Sequence, residues 1–421
     1  MKLQVSRDEE MDGAEGRLDA VIDALRPGVD LAPLPAGKAG GFLLHDPEGY
    51  TQSMFEIDAV GRDLLCLFDG TRSIRQLQAD FEKIRKIRLA VGELLRFVDM
   101  LETHLFLHND RFLAVQAAIE TEYTALQQRA AAFAGQSYPS DPAQLSAFFR
   151  TLFSGRPVHV ERRAPVGVIA PHIDLQIGAE VYVPAYEYLR SADFDTVVIL
   201  GTSHYSSEDL FILTEKNFVT PLGEMKTDRE FVRALRERTG GTFTTRDSAH
   251  RREHSIEFQV LFLQHLFGND RVRIVPVLCT QFEHYLANGV LPMSDPRYAG
   301  FIDAFRDTMR ELGRKAVFVM SVDWSHVGHK FHDAEAAAGL LPLVRISDHA
   351  HFTALERADL DRFHALLRQD MNATNIDGLS CITTFFDLAH PVSGQLLAYD
   401  QWHEEERQSG VTYAAMAFWD T

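Results

Sequence analysis

From about residue 166 onward, short apolar runs alternate with helical stretches, and three of the runs end at histidine or aspartate. The runs fall at 166–170, 196–200, 272–278, 316–321 and 412–417. They are short and uninterrupted, as strands buried on both faces are. Strands separated by helices imply an α/β domain whose sheet carries helices on both faces.

The strand ends are where chemistry is expected, because open α/β sheets bind ligands beyond the carboxyl ends of their strands. "VGVIAPHID" delivers His172 and, two residues on, Asp174. "VVILGTSHY" delivers His204 between Ser203 and Tyr205. "AVFVMSVDWSH" delivers Asp323, Ser325 and His326. One histidine after one strand is ordinarily a capping or packing residue. Three such loops on one rim require several independent coincidences, and a pocket for a single transition-metal ion is the simpler account.

Asp323 and His326 are three residues apart, so a helical turn opening at Asp323 would put both on one side. The carboxylate would then hold the imidazole tautomer or bind the metal itself. An aspartate N-cap, a role worth roughly 1 kcal/mol, is the competing reading. Cys381, in "NIDGLSCITTFF", opens an apolar helical run, and a helix N-terminus favours thiolate. Thiolate with imidazoles suits Fe(II), Cu or Zn over Mg or Ca. A buried, inert cysteine is the alternative, and Cys66 and Cys279 fit it. "EHSIEFQVLFLQHLF" puts Glu253, His254 and Glu257 at the head of an amphipathic helix. His254 and Glu257 either support the pocket or cap and pack the helix. His329 and His332 are expected in solvent. No H-E-x-x-H, P-loop, dinucleotide fingerprint or G-x-S-x-G occurs.

Composition excludes other classes. Acidic residues outnumber basic ones 60 to 42, for a net charge of −18, which argues against nucleic acid as partner. The three cysteines are far apart, so no disulfide framework is written here. Without a secretory apolar core near the start or a bilayer-length apolar run, the expected location is cytoplasmic, with no membrane partner.

With 421 residues, two domains are expected. Residues 1–37 are polar and proline-interrupted and read as a mobile tail. Residues 38–110 read as a winged-helix-like α+β module. Its strands lie at 41–45 and 50–57, its helices near 60–68, 74–81 and 91–102, and a strand-like end at 105–107. A connecting helix follows over 111–131, and the α/β metal-binding domain occupies 132–421.

Two resemblances add to this. "FLLHDPEGYTQSMFEIDAVGRDLLCLFDGTRSIRQLQADFE", with "VGELLRFVDMLETHLFL", resembles the PqqD-like family. That resemblance implies capture of a leader-type peptide as an added strand at a sheet edge. Further on, "AGQSYPSDP", "APHID", "ILGTSH", "EHSIEFQ", "SVDWSH" and "SCITTF", in that order, resemble the Memo family, also called AmmeMemoRadiSam system protein B.

The Memo resemblance implies a fold like that of LigB-type class III extradiol dioxygenases, and one mononuclear non-haem iron or copper site in which Cys replaces a carboxylate. By motif the metal ligands would be His172, His204 and Cys381. His326 would be the acid/base, tuned by Asp323. Two positions depart from the family pattern. Ile173 and Asp174 stand where Ala-Gly is usual, and Ile382 stands where Gly usually follows the cysteine. A metal-dependent oxidoreductase is the leading expectation; a zinc hydrolase and a non-catalytic peptide- or ligand-binding adaptor remain open. The substrate would be a small molecule or a peptide captured by the N-terminal module. A radical enzyme of the same pathway is a candidate partner.

Overall fold

The computed structural model of the chain describes residues 15–34, 41–155, 163–190, 192–206, 209–241, 243 and 247–420. They form two compact units, 1–125 and 126–421. No described helix is long and apolar enough to cross a membrane.

The N-terminal unit runs α1 (Glu15–Asp19), β1 (Asp30–Pro33), β2 (Gly41–His45), β3 (Phe55–Asp58), α2 (Ala59–Leu65), α3 (Ile74–Arg85), α4 (Val91–Thr103) and α5 (Asp110–Ala125). The three strands make an antiparallel sheet in the order β1-β2-β3. Asp58 caps α2 through its side chain, and Ser73 caps α3 in a reciprocal box with Gln76. Leu64, Leu77, Phe81, Leu94, Phe97 and Leu101 form the core with Leu44 and Ile57 from the strands.

Two expectations are corrected here. Within the expected tail, residues 15–34 are ordered: β1 pairs with β2, and the buried Arg26 guanidinium sits 2.7 Å from Asp46. Residues 1–14 and 35–37 of that tail lie outside the described residues. The expected strand at 105–107 is a single bridge, Leu25 to Leu107.

The C-terminal unit begins with β4 (Gln128–Ala130), so the expected connecting helix stops at Ala125. It continues through α6 (Pro142–Leu152), β5 (Gly167–Ala170), α7 (Leu175–Leu189), β6 (Thr196–Thr202), β7 (Phe211–Leu213), β8 (Asn217–Thr220), β9 (Gly223–Met225), α8 (Arg229–Arg238) and α9 (His254–Phe267). Then come β10 (Arg273–Cys279), α10 (Glu283–Asn288), α11 (Pro296–Leu312), β11 (Ala316–Ser321) and β12 (His326–Gly328). The chain ends with α12 (Ala337–Glu356), α13 (Leu360–Asp370), α14 (Leu379–Ala389), β13 (Ser393–Glu404) and β14 (Ser409–Trp419).

The main sheet has the order β12-β14-β5-β11-β6-β10-β7, with β13 also pairing β14. Its centre, β5-β11-β6-β10, is parallel, and the outer strands are antiparallel. All five expected strands are present. β8, β9 and β12 carry no comparable apolar run, and those of β7 and β13 are short, at 210–213 and 396–399; pairing with neighbours completes them as strands.

The centre is buried on both faces. Along β6, Val197 and Ile199 face one apolar layer, and Val198 and Leu200 face the other. This mixed α/β sheet flanked by helices is the architecture read from the sequence, and it is consistent with a Memo/LigB-like fold. Because β5, β11 and β6 are neighbours, their carboxyl ends bring His172, Asp323 and His204 to one rim. Helix α9 packs so close to β6 that a Cβ at Gly201 would lie 2.6 Å from Ser255 Oγ, which brings His254 to the same rim.

Candidate metal centre

After β5, the turn Pro171-His172-Ile173 is pinned by Asp323, whose Oδ1 accepts from the His172 and Ile173 backbone N–H groups at 2.8 and 2.9 Å. The buried His172 ring places Nδ1 3.0 Å from the carbonyl of Ser321. A carbonyl only accepts, so the proton sits on Nδ1 and the Nε2 lone pair is directed elsewhere.

His204 is held the same way. Glu253 accepts the His204 N–H at 2.9 Å and its Nδ1 at 3.0 Å. Glu253 also caps α9 through the Ser255 N–H. Burial opposes charge on Glu253, but the adjacent His204 keeps its carboxyl well below the usual range.

Three imidazoles then meet. His204 stacks on His254 with centroids 4.6 Å apart, and His172 stands edge-on to both, at 4.9 and 5.1 Å. One nitrogen from each of His172, His204 and His254 lies within 4.8 Å of the others, a grouping able to hold a metal ion. Burial, and then the neighbouring His204, push the His254 pKa well down, so this ring is neutral. His204 is the one of the three most open to solvent, with 29% of its side chain exposed, and it marks the open side of the centre.

The fourth group escaped the sequence reading. Asp377, just before α14, places Oδ2 2.9 Å from His172 Nε2 and 3.7 Å from His204 Nε2. Both of its oxygens are buried and lack an aligned hydrogen-bond donor. Two acceptors facing each other at this distance need a cation between them: a proton, or a metal ion. Burial opposes protonation of His172, yet Asp323 and Asp377 hold its pKa up to about 9. Burial likewise opposes charge on Asp377, while His172 holds its carboxyl far below the ordinary value. The residues present could therefore hold a metal ion.

Cys381 is not part of this group. It lies one helical turn beyond Asp377, fully buried in the apolar layer beneath the sheet, with Sγ 3.9 Å from Thr202 Oγ1 and beside Cys279. Gly378 occupies the N-cap position of α14, so Asp377 precedes the helix while Cys381 lies within its first turn.

Other expected residues divide. Asp323 and His326 lie in a loop and in β12, without the expected helical turn, because β12 pairs with β14 there. They do not hydrogen-bond each other. Asp323 holds the His172 turn, while His326 Nδ1 lies 3.0 Å from the carbonyls of Trp324 and Asn375. His326 still acts electrostatically on both Asp323 and Asp377.

Glu257 faces away from the rings. It is buried against Arg129, Tyr138 and the backbone N–H groups of Ala132 and Phe133. Asp174 caps α7 through the Gln176 N–H. Ser203 donates to the Ser206 carbonyl, and Ser325 is tied to Asp348 and Thr374. Of the expected supporting residues, His254 joins the imidazole group and Tyr205 lies beside it, its ring 6.1 Å from His204. His329 and His332 are exposed.

The family model for Memo-like proteins matches residues 129–417. The chain belongs to the Memo-like family. Among relatives of this Memo-like protein, a MEMO1 family protein of Aquifex aeolicus is 30% identical over 381 residues, covering 90% of this chain and 96% of that protein. That span is too long for the C-terminal unit and takes in the N-terminal unit as well. The MEMO1 family protein MK0963 of Methanopyrus kandleri is 33% identical over 242 residues, 55% of this chain and 78% of its own. The MEMO1 family protein TK1477 of Thermococcus kodakarensis is 27% identical over 299 residues, using 68% of this chain and 98% of its own.

Proposed function

We propose that this Memo-like protein is a mononuclear non-haem metal oxidoreductase. His172, His204 and Asp377 hold one transition-metal ion, Fe(II) in preference to Cu or Zn, with His254 beside them. The observation that carries the reading is the Asp377 carboxylate set 2.9 Å from a His172 nitrogen whose partner nitrogen is already committed to Ser321. Two imidazoles and one carboxylate suit non-haem iron with open positions. Iron bound there would supply electron transfer with dioxygen.

The residues of the chain do the rest. Ser321 and Glu253 fix the two ligand tautomers. Neutral His254, stacked on His204, is placed to accept a proton from substrate, and His326 is the second candidate for proton transfer. The open side at His204 admits a small molecule or a peptide side chain.

A zinc hydrolase is the second reading, favoured by the three-imidazole grouping, which matches the ligand set of zinc sites that activate water. The N-terminal unit would capture a peptide at an edge strand of its three-stranded sheet. Retention of that unit in the Aquifex relative supports its working with the metal domain.

Metal analysis after anaerobic purification tests the proposal on wild type, Asp377→Ala and Cys381→Ala. The expected result is one iron per chain in wild type and Cys381→Ala, and loss in Asp377→Ala. Zinc in all preparations favours the hydrolase. Full occupancy in Asp377→Ala would remove the carboxylate from the centre.

A further inference from the structure

Asp348 is a carboxylate with no exposure, on α12, outside the group around His172. Its partners are three hydroxyls: Ser325 Oγ on Oδ1, and Tyr399 OH and Thr412 Oγ1 on Oδ2, each at 2.7 Å. Among the described residues it pairs with no Lys or Arg. Burial pushes its carboxyl up, and the three hydroxyls oppose that.

An ionised carboxylate only accepts, so Ser325 and Thr412 each spend their single proton on Asp348. Every further bond then has one sense. The Thr412 oxygen accepts the Ser325 N–H at 2.9 Å, and the Ser325 oxygen accepts from the Thr374 hydroxyl at 2.9 Å. Thr374 and Asn375 belong to the loop that ends in Asp377. The same loop accepts the His326 N–H on the Thr374 carbonyl at 2.7 Å, and His326 Nδ1 on the Asn375 carbonyl at 3.0 Å. Asn372 braces the loop from within by exchanging two bonds with Ile376, both 2.9 Å.

We infer that Asp348 is a positioning residue for the metal centre: through Ser325 and Thr374 it locks the loop that leads into His326 and β12 to the loop carrying Asp377. It touches neither metal nor substrate. An uncharged amide at this place would offer donors to hydroxyls that must themselves donate, and the ordered sense of the chain would be lost. The inference rests on the metal reading for its spectroscopic consequence, and on the hydrogen bonds alone for its effect on the loops.

The test uses full-length protein with two substitutions, Asp348→Asn and Thr374→Val; the second cuts the link at a partly exposed position. In metal-free protein, hydrogen exchange followed by mass spectrometry should run roughly tenfold faster in peptides 322–328 and 372–379, and unchanged over 196–202. Cobalt(II), used as a spectroscopic probe, should bind about ten- to hundred-fold more weakly and with a shifted ligand-field spectrum in both variants. Unchanged exchange in folded variants would overturn the inference. So would faster exchange with an unaltered cobalt spectrum, which would make Asp348 structural only. Failure of wild type to bind cobalt at all would overturn the metal reading itself, and is seen before either variant is measured.

Discussion

Nε2 of His172 faces the Asp377 carboxylate at 2.9 Å while Nδ1 of the same ring is held by the Ser321 carbonyl at 3.0 Å. The two contacts leave a lone pair and a carboxylate sharing one point, and this gives the centre its charge requirement. The oxygen facing the ring is supplied by the residue ahead of α14, with the nearby sulfur buried beneath it.

Changing that donor should change the metal. Asp377→Cys is expected to keep one ion per chain but to move preference from iron toward zinc or copper, because thiolate is the softer ligand. Competition between Fe(II) and Zn(II), read by elemental analysis, checks it; an unchanged preference would separate metal choice from residue 377.

Glu253 holds His204 by both its backbone and its ring. Glu253→Gln keeps the shape but can no longer accept from both groups with full charge. Metal affinity should fall about ten- to hundred-fold while the thermal midpoint moves little. Equal affinity by equilibrium dialysis would show that His204 needs no such partner.

Glu257, open between a pocket and a packing role in the sequence, closes a buried ion pair with Arg129. Glu257→Ala should therefore cost stability, about 3–5 kcal/mol for stranding a buried charge, with metal stoichiometry intact in the protein that remains folded. Denaturant titration with metal analysis decides it; metal loss at unchanged stability would put Glu257 back at the site.

Three histidines away from the centre set the acid limit. Burial pushes His250, His351 and His364 down to about 4 from an ordinary 6.5. Between those values the unfolded chain takes up protons that the folded chain refuses. Stability is then full above about pH 6.5 and falls toward pH 4, at on the order of 1 kcal/mol per pH unit for each ring. Urea midpoints at pH 7.0, 6.0 and 5.0 should drop, and His364→Gln should flatten the slope. A midpoint constant over that range would contradict the burial of these rings.

The α/β class, the five central strands and the placing of His172 and His204 on one rim could be read from the sequence, because burial on two faces leaves continuous apolar runs and strand ends leave ligand-type residues. Strands such as β8 and β12 could not, since their pairing partners lie elsewhere in the chain and their own residues show no apolar run. Which group faces the imidazoles was decided by tertiary structure alone. Asp377 and Cys381 stand four residues apart in one stretch, and both are plausible ligands by type. The packing of α14 against β11 and β6 carries the thiol into the hydrocarbon layer, while the carboxylate ahead of the helix meets the imidazoles.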